Sequence, residues 1–356
     1  MNTPTKPGRI EALDYLRGYF IIVIVIDHVY RWPSLLSFFT GQSLLWANAA
    51  DGFIIISGLL VGYVRGFKAR ESPFNPVALK LFKRGLLLYV WSVILSILFA
   101  SIQWLITFRA AMPHVEAPDG NWAALITNSI TLTYAHPWIY FLHLYAIFML
   151  VAIGAVWLLR RHLAWLVILF SIAAIFVGNY YGVEWIQRAP FFFIPVAVGY
   201  YLESIQRVII ALRHTRQRIL SATAIFLFIS TATLSSLWRF SPELFSPALH
   251  DFLSQLFNRG PLSIGALVIA FVWFIGLFAL FQALLPLLRK YLRWLMLPFG
   301  QRSLAAYMIH GIPILITSYF FFMGSNVWHN TALGIICILT TIGLLRIPFV
   351  QRLLPR

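Results

Sequence analysis

Apolar stretches of about 20 residues recur along this chain between short polar connections, and each is long enough to cross a bilayer core as a helix. Ten spans are predicted, at roughly 13–31, 44–64, 85–106, 138–159, 163–181, 190–206, 219–238, 262–286, 301–322 and 331–350. An apolar segment at 123–134 is too short to span and is predicted to lie at the interface. Spans of this length indicate helices rather than the short alternating strands of a barrel. The expected fold class is all-α, a polytopic transmembrane bundle of about ten helices, with residues 1–356 as one integral-membrane domain.

Composition agrees. Of 356 residues 60% are hydrophobic and 11% charged, and the mean hydropathy is +0.82. A soluble domain carries about 25% charged residues, so a soluble class is excluded. The net charge of +16 raises the question of nucleic acid. Its placement answers it: the basic residues stand in short runs between spans, as the positive-inside rule expects. With ten spans, twenty-one fall on the face that holds Lys6, Arg9 and Arg352. Five, Arg31, Arg109, Arg188, Arg239 and Arg259, fall on the other, and Arg17 lies inside the first span. Both termini are therefore expected in the cytoplasm. The outer connections carry Glu116, Asp119, Glu184, Glu243 and Asp251. Lys6 and Arg9 precede an apolar stretch without a small-residue cleavage site, which reads as an uncleaved first helix. A single cysteine, Cys337, rules out an intramolecular disulfide and a cysteine metal site.

The first span, "LDYLRGYFIIVIVIDHV", carries Asp14, Arg17, Asp27 and His28. A charge at the centre of a bilayer costs at least roughly 2.5–3.5 kcal/mol, so such groups mark a cavity or a site. Arg17 and His28 are eleven residues apart, about three helical turns, so they share a face about 16 Å apart along the axis. Asp14 is placed to pair with Arg17 at i, i+3 or to cap the helix. The second span holds Asn48 and Asp51 about two turns from its outer end, at a depth comparable with His28. A carboxylate beside an imidazole fixes its tautomer and raises its basicity, and either Asp51 or Asp27 is expected to orient His28. Gly58, Gly62 and Gly66 recur every four residues and read as a close-packing face. His143 sits near the outer end of the fourth span. Ser303, Tyr307 and His310 share a face of the ninth span behind Arg302. No phosphate loop, nucleophile elbow or zinc motif is present, and no metal site is expected.

A base with a carboxylate neighbour toward the outside, and cations toward the cytoplasm at Arg17, Lys83 and Arg84, suit a donor with an anionic head and a long thin arm. Acyl-CoA has that shape. His28 would deprotonate an acceptor hydroxyl for attack on the thioester. The alternative is a proton-coupled small-molecule transporter using the same Asp, His and Arg groups.

"LDYLRG" followed by "DH" reproduces the Arg-x10-His pattern at Arg17 and His28. The series "RIEALDYLRG…IDHV…ADGFIIISGLLVGY", with "LHLY" at 142–145 and "FGQRSLAAYMIH" at 299–310, resembles the acyltransferase-3 superfamily of membrane acyltransferases. It is most similar to the OpgC-like glucan succinyltransferase branch. The sequence departs from the common Arg-x-x-Arg pattern after the second span, with Leu87 where the second Arg would fall. The resemblance implies a bundle of about ten spans in the bacterial inner membrane. It implies a catalytic base at His28, a donor contact at Arg17, acyl-CoA as co-substrate with no permanently bound cofactor, and an envelope glycan or lipid as acceptor. Ser303, Tyr307, His310, His143 and Asn48 are expected around the same cavity. A homodimer is left open.

Overall fold

The computed structural model describes residues 10–106, 120–322 and 324–355. Lys6, Arg9, Arg109, Glu116, Asp119 and Arg356 lie outside the described residues.

Among the described residues there are helices and no β-strand. The long helices are α1 (Glu11–Val29), α2 (Ala49–Val61), α3 (Phe74–Leu105), α4 (Tyr140–Arg160), α5 (Ala164–Tyr181), α6 (Pro190–Tyr200), α7 (His214–Phe240) and α8 (Ile264–Ala283). They are followed by α9 (Arg293–Gln301), α10 (Ser303–Ile309), α11 (Gly311–Phe320) and α12 (Val327–Arg346). Eight helices or continuous helix pairs are long and apolar enough to cross a membrane, and a ninth candidate is the pair Glu184–Tyr200 and Leu202–Ala211, bent by 64°. α1 falls outside that count because it carries Glu11, Asp14, Arg17 and Asp27. Its burial explains how it keeps them. It is enclosed by α2, α8, α9, α10 and α12, so its polar groups meet protein instead of lipid.

Local chemistry sets the ends of these helices. α2 begins later than hydropathy alone predicts. Asn48 Oδ1 accepts from Asp51 N at 3.0 Å and Asp51 Oδ2 accepts from Asn48 N at 3.2 Å, a capping box that starts the helix at Ala49. Asn48 and Asp51 therefore stand at the mouth of α2, not two turns inside it. The predicted sixth span splits after Tyr200. Leu202–Ala211 mixes Glu203, Ser204, Gln206 and Arg207 with apolar residues and has no buried residue, which suits a surface helix lying in the interface plane. The ninth span is interrupted at His310 between α10 and α11, where Pro313 has no N–H to give the preceding turn.

Two close approaches hold the centre. A Cβ on Gly18 of α1 would lie 2.1 Å from Met296 O, and one on Gly300 of α9 would lie 1.9 Å from Asp14 O. The missing side chains let the two backbones touch. Gly58 and Gly62 do the same against Phe192 O and Val196 O of α6, as expected for small residues between membrane helices. The segment α10–α11 is 78% buried, whereas α7 is 6% buried and faces outward along most of its length. Helix Trp122–Ile130 packs on α3 with Leu125 and Ser129 buried.

Candidate active site

The outer end of α1, the start of α2 and the start of α4 enclose a cavity of about 190 Å3, completed by Arg188 and Arg259 from the connections before α6 and α8. Asp27, His28, Asn48, Asp51, Tyr140, Glu184 and Tyr307 also line it. The expected convergence of His28, Asp27, Asp51, Asn48 and Tyr307 is thus found in space.

The carboxylate expected to orient His28 is not the group beside it. His28 Nδ1 lies 2.6 Å from His310 Nε2, and the rings stack with centroids 4.9 Å apart. His310 Nδ1 is hydrogen-bonded to the carbonyl oxygen of Tyr307, one turn back on the same helix. A carbonyl only accepts, so His310 Nδ1 carries the hydrogen. In the neutral ring Nε2 then accepts, and His28 Nδ1 is the donor. That leaves Nε2 of His28 without hydrogen. His310 is wholly buried and stands behind His28 instead of lining the cavity.

Asp27 and Asp51 are occupied elsewhere. Asp27 Oδ2 accepts from Ser43 Oγ at 2.7 Å, tying the segment before α2 to the end of α1. Its Oδ1 is buried and has no hydrogen-bond partner among the described residues. Asp51 is 3% exposed at its side chain and takes two arginines, Arg259 at 2.9 Å and Arg188 at 3.4 Å. Arg188 also reaches Glu184 at 3.4 Å, and Arg259 donates to Ser43 O at 3.1 Å. The capping carboxylate of α2 therefore clamps two outer connections over the cavity. A buried carboxylate keeps its charge only with such partners.

Tyr307 Oη accepts from the backbone N–H of Phe141 at 3.2 Å, so its own hydrogen remains free to donate. The other expected residues lie away from the cavity. Ser303 is buried at the start of α10, about two turns from His310. His143 is buried with its ring 6.1 Å from that of Tyr140, and its Nδ1 has no hydrogen-bond partner among the described residues. Lys83 is exposed and Arg84 half-buried on α3, and neither lines the cavity. Arg17 donates from Nη1 to Gly300 O at 3.5 Å, at the opposite end of α1 from His28. Asp14 does not cap α1, whose N-cap is Ile10.

Arg188 and Arg259 escaped the sequence reading, although a signal was present. They are exceptions to the charge asymmetry, and an arginine on the outer side needs a reason. Arg31 is a third exception. It is fully buried and donates to the carbonyls of Thr317, Phe321 and Phe322 at 2.9–3.2 Å, closing the C-terminal end of α11.

Behind the cavity, His136 donates from Nε2 to Gln103 Oε1 at 3.1 Å and accepts at Nδ1 from Trp138 N at 3.2 Å. Burial, and then repulsion from His310, push its pKa down to about 3. Both nitrogens are satisfied by the neutral ring.

Among the described residues no cluster of His, Cys, Asp and Glu is arranged to hold a metal ion. Compared with known families, residues 9–348 match the family described as OpgC protein. No curated protein and no solved structure matches the chain.

Proposed function

We propose that this chain, which belongs to the OpgC protein family, moves an acetyl or succinyl group from cytoplasmic acyl-CoA to a hydroxyl of an extracytoplasmic envelope glycan. The family makes it a multi-pass membrane acyltransferase, with glucans as the acceptor class.

The observation that carries it is the chain from His28 Nδ1 through His310 to the Tyr307 carbonyl. It supports His28 as a base: its Nε2 is left without hydrogen, and the residue lines the cavity. The acceptor hydroxyl gives its proton to His28 Nε2 as its oxygen attacks the thioester carbonyl. The new C–O bond makes a tetrahedral oxyanion. The Tyr307 hydroxyl is placed to donate to that oxygen. Collapse breaks the C–S bond, and the leaving thiolate takes the proton back from His28. The products are the ester and the free thiol. While His28 is protonated, its Nδ1–H continues to donate to His310, which spreads the charge into a buried hydrogen-bonded pair.

Asp27, which lines the cavity, is a contact for a second acceptor hydroxyl. Asp51, Arg188 and Arg259 shape the outer wall. Ser303 and His143 are not assigned a contact. A proton-coupled transporter would use the same buried groups, but family membership favours transfer.

The test is transfer of radiolabel from acetyl- and succinyl-CoA into endogenous glycan in inside-out vesicles. Wild type is expected to label glycan and His28→Ala is not. Equal labelling by both would remove His28 from its role.

A further inference from the structure

The cations first expected to hold the donor's head, Lys83 and Arg84, lie on α3 away from the cavity. A different basic feature stands where the donor would enter. A groove of about 490 Å3 runs along the start of α9 and is lined by Arg289, Lys290, Arg293 and Arg346, with Trp294 and Gln301 among its walls. The four cations come from the turn before α9, from α9 itself and from the end of α12. All four are exposed.

We propose that this groove binds the phosphate groups of the acyl carrier. The proposal rests on the reading that the donor is acyl-CoA. Charge is the first argument. Arg289 is paired with Glu11, and among the described residues no carboxylate pairs with Lys290, Arg293 or Arg346. Three uncompensated cations around one concavity hold a group bearing several negative charges better than a single carboxylate. The indole of Trp294 adds a planar face of the kind a nucleobase stacks on.

Continuity is the second argument. Gln301 follows Gly300, whose carbonyl accepts from Arg17 and whose backbone is pressed on Asp14. The groove therefore meets α1 at its charged end. His28 is eleven residues further along α1, about 16 Å by helix rise. A flexible arm of that length joins a head held in the groove to an acyl end at His28, on a path that α1 and the helices packed on it must part to admit. Arg17 then stands at the junction of head and arm instead of at the phosphates.

Phosphates also occur on lipid headgroups, and the experiment separates the two sources. Purified protein in phosphatidylcholine nanodiscs is titrated with radiolabelled coenzyme A, and with pantetheine, which lacks the phosphates. Lys290→Ala/Arg293→Ala/Arg346→Ala is compared with Lys83→Ala/Arg84→Ala. Four of the five side chains are exposed and Arg84 is half-buried, and unfolding temperature checks that each variant is folded. The expected result is coenzyme A binding at least tenfold weaker in the triple variant, unchanged in the double variant, and salt-sensitive in wild type. Pantetheine binding is expected to be equal in all three. Undiminished coenzyme A binding by a folded triple variant would overturn the groove assignment alone. If that variant instead lost only its preference for nanodiscs with 30% phosphatidylglycerol, the groove would be a lipid site and the proposal wrong. No coenzyme A binding by wild type would overturn the donor reading and the groove with it.

Discussion

His28 and His310 are 282 positions apart in the chain, and their facing ring nitrogens are 2.6 Å apart. The pair joins the end of α1 to the break in the ninth span, and the Tyr307 carbonyl gives it a direction. His310 acts on the reaction through His28, so it is a positioning residue. His310→Ala is expected to lower kcat roughly a hundredfold or more by freeing the ring and its tautomer, with little change in KM because His310 does not line the cavity. His310→Gln retains an oxygen that accepts from His28 Nδ1–H and should recover part of the loss. The acid limb of the pH profile should move in both variants. A loss of stability with an unmoved pH profile would reduce His310 to a packing role.

Asp51 serves two arginines. Removing it leaves Arg259 without a carboxylate and Arg188 with Glu184 alone, whereas removing Arg188 leaves Asp51 with Arg259. Asp51→Ala should therefore destabilise the protein by about 3 kcal/mol, in the range for breaking a buried pair, and Arg188→Ala by less. Adding Arg259→Leu to Asp51→Ala should return part of that loss, since a double-mutant cycle reads coupling directly. Thermal unfolding in detergent measures these proteins together with Arg259→Leu alone, which closes the cycle. Additive losses would mean that the clamp does not exist.

The contact of α1 with α9 admits no side chain at Gly18, where a Cβ would sit 2.1 Å from Met296 O. Gly18→Ala must push two backbones apart and is expected to cost about 1–3 kcal/mol. Gly154, with nothing within 4 Å of its Cβ position, is the control, and Gly154→Ala should be neutral or slightly stabilising. Equal unfolding temperatures for the two variants would contradict the packing described.

His136 supplies a pH dependence. Its pKa in the folded protein is about 3, lowered first by burial and then by His310, while an unfolded histidine titrates near 6.5. Between those values the unfolded chain binds the proton and the folded chain does not, so stability falls as pH drops from about 6.5 toward 3. His136→Gln should flatten that slope between pH 6.5 and 5. An unchanged slope would place the acid sensitivity elsewhere.

Much of the fold is legible in the sequence because lipid imposes one rule on every span. Length, hydropathy and loop charge brought out the helical bundle, and the intramembrane charges of α1 pointed to a protein-lined face. The Gly58 and Gly62 spacing gave a close contact correctly. The misses have local causes. The capping box at Asn48 and Asp51 is invisible to hydropathy, which sets both residues inside the helix instead of at its start. The sequence points His28 to neighbouring carboxylates, because periodicity reports faces of one helix and not which distant helix it meets. His310 was seen as a cavity residue, but its bond to His28 arises only when α10 packs on α1. Arg188 and Arg259 sit in connections, where no period exists to reveal direction.

Whether His28 is the base for acyl transfer is decided by comparing wild type with His28→Ala. Inside-out vesicles containing wild type or His28→Ala receive radiolabelled succinyl- or acetyl-CoA, with insertion and coenzyme A binding checked for both. The account predicts glycan labelling by wild type and a drop of about a thousandfold or more in the variant, with coenzyme A still bound. Labelling by a well-inserted His28→Ala at the wild-type rate would contradict it.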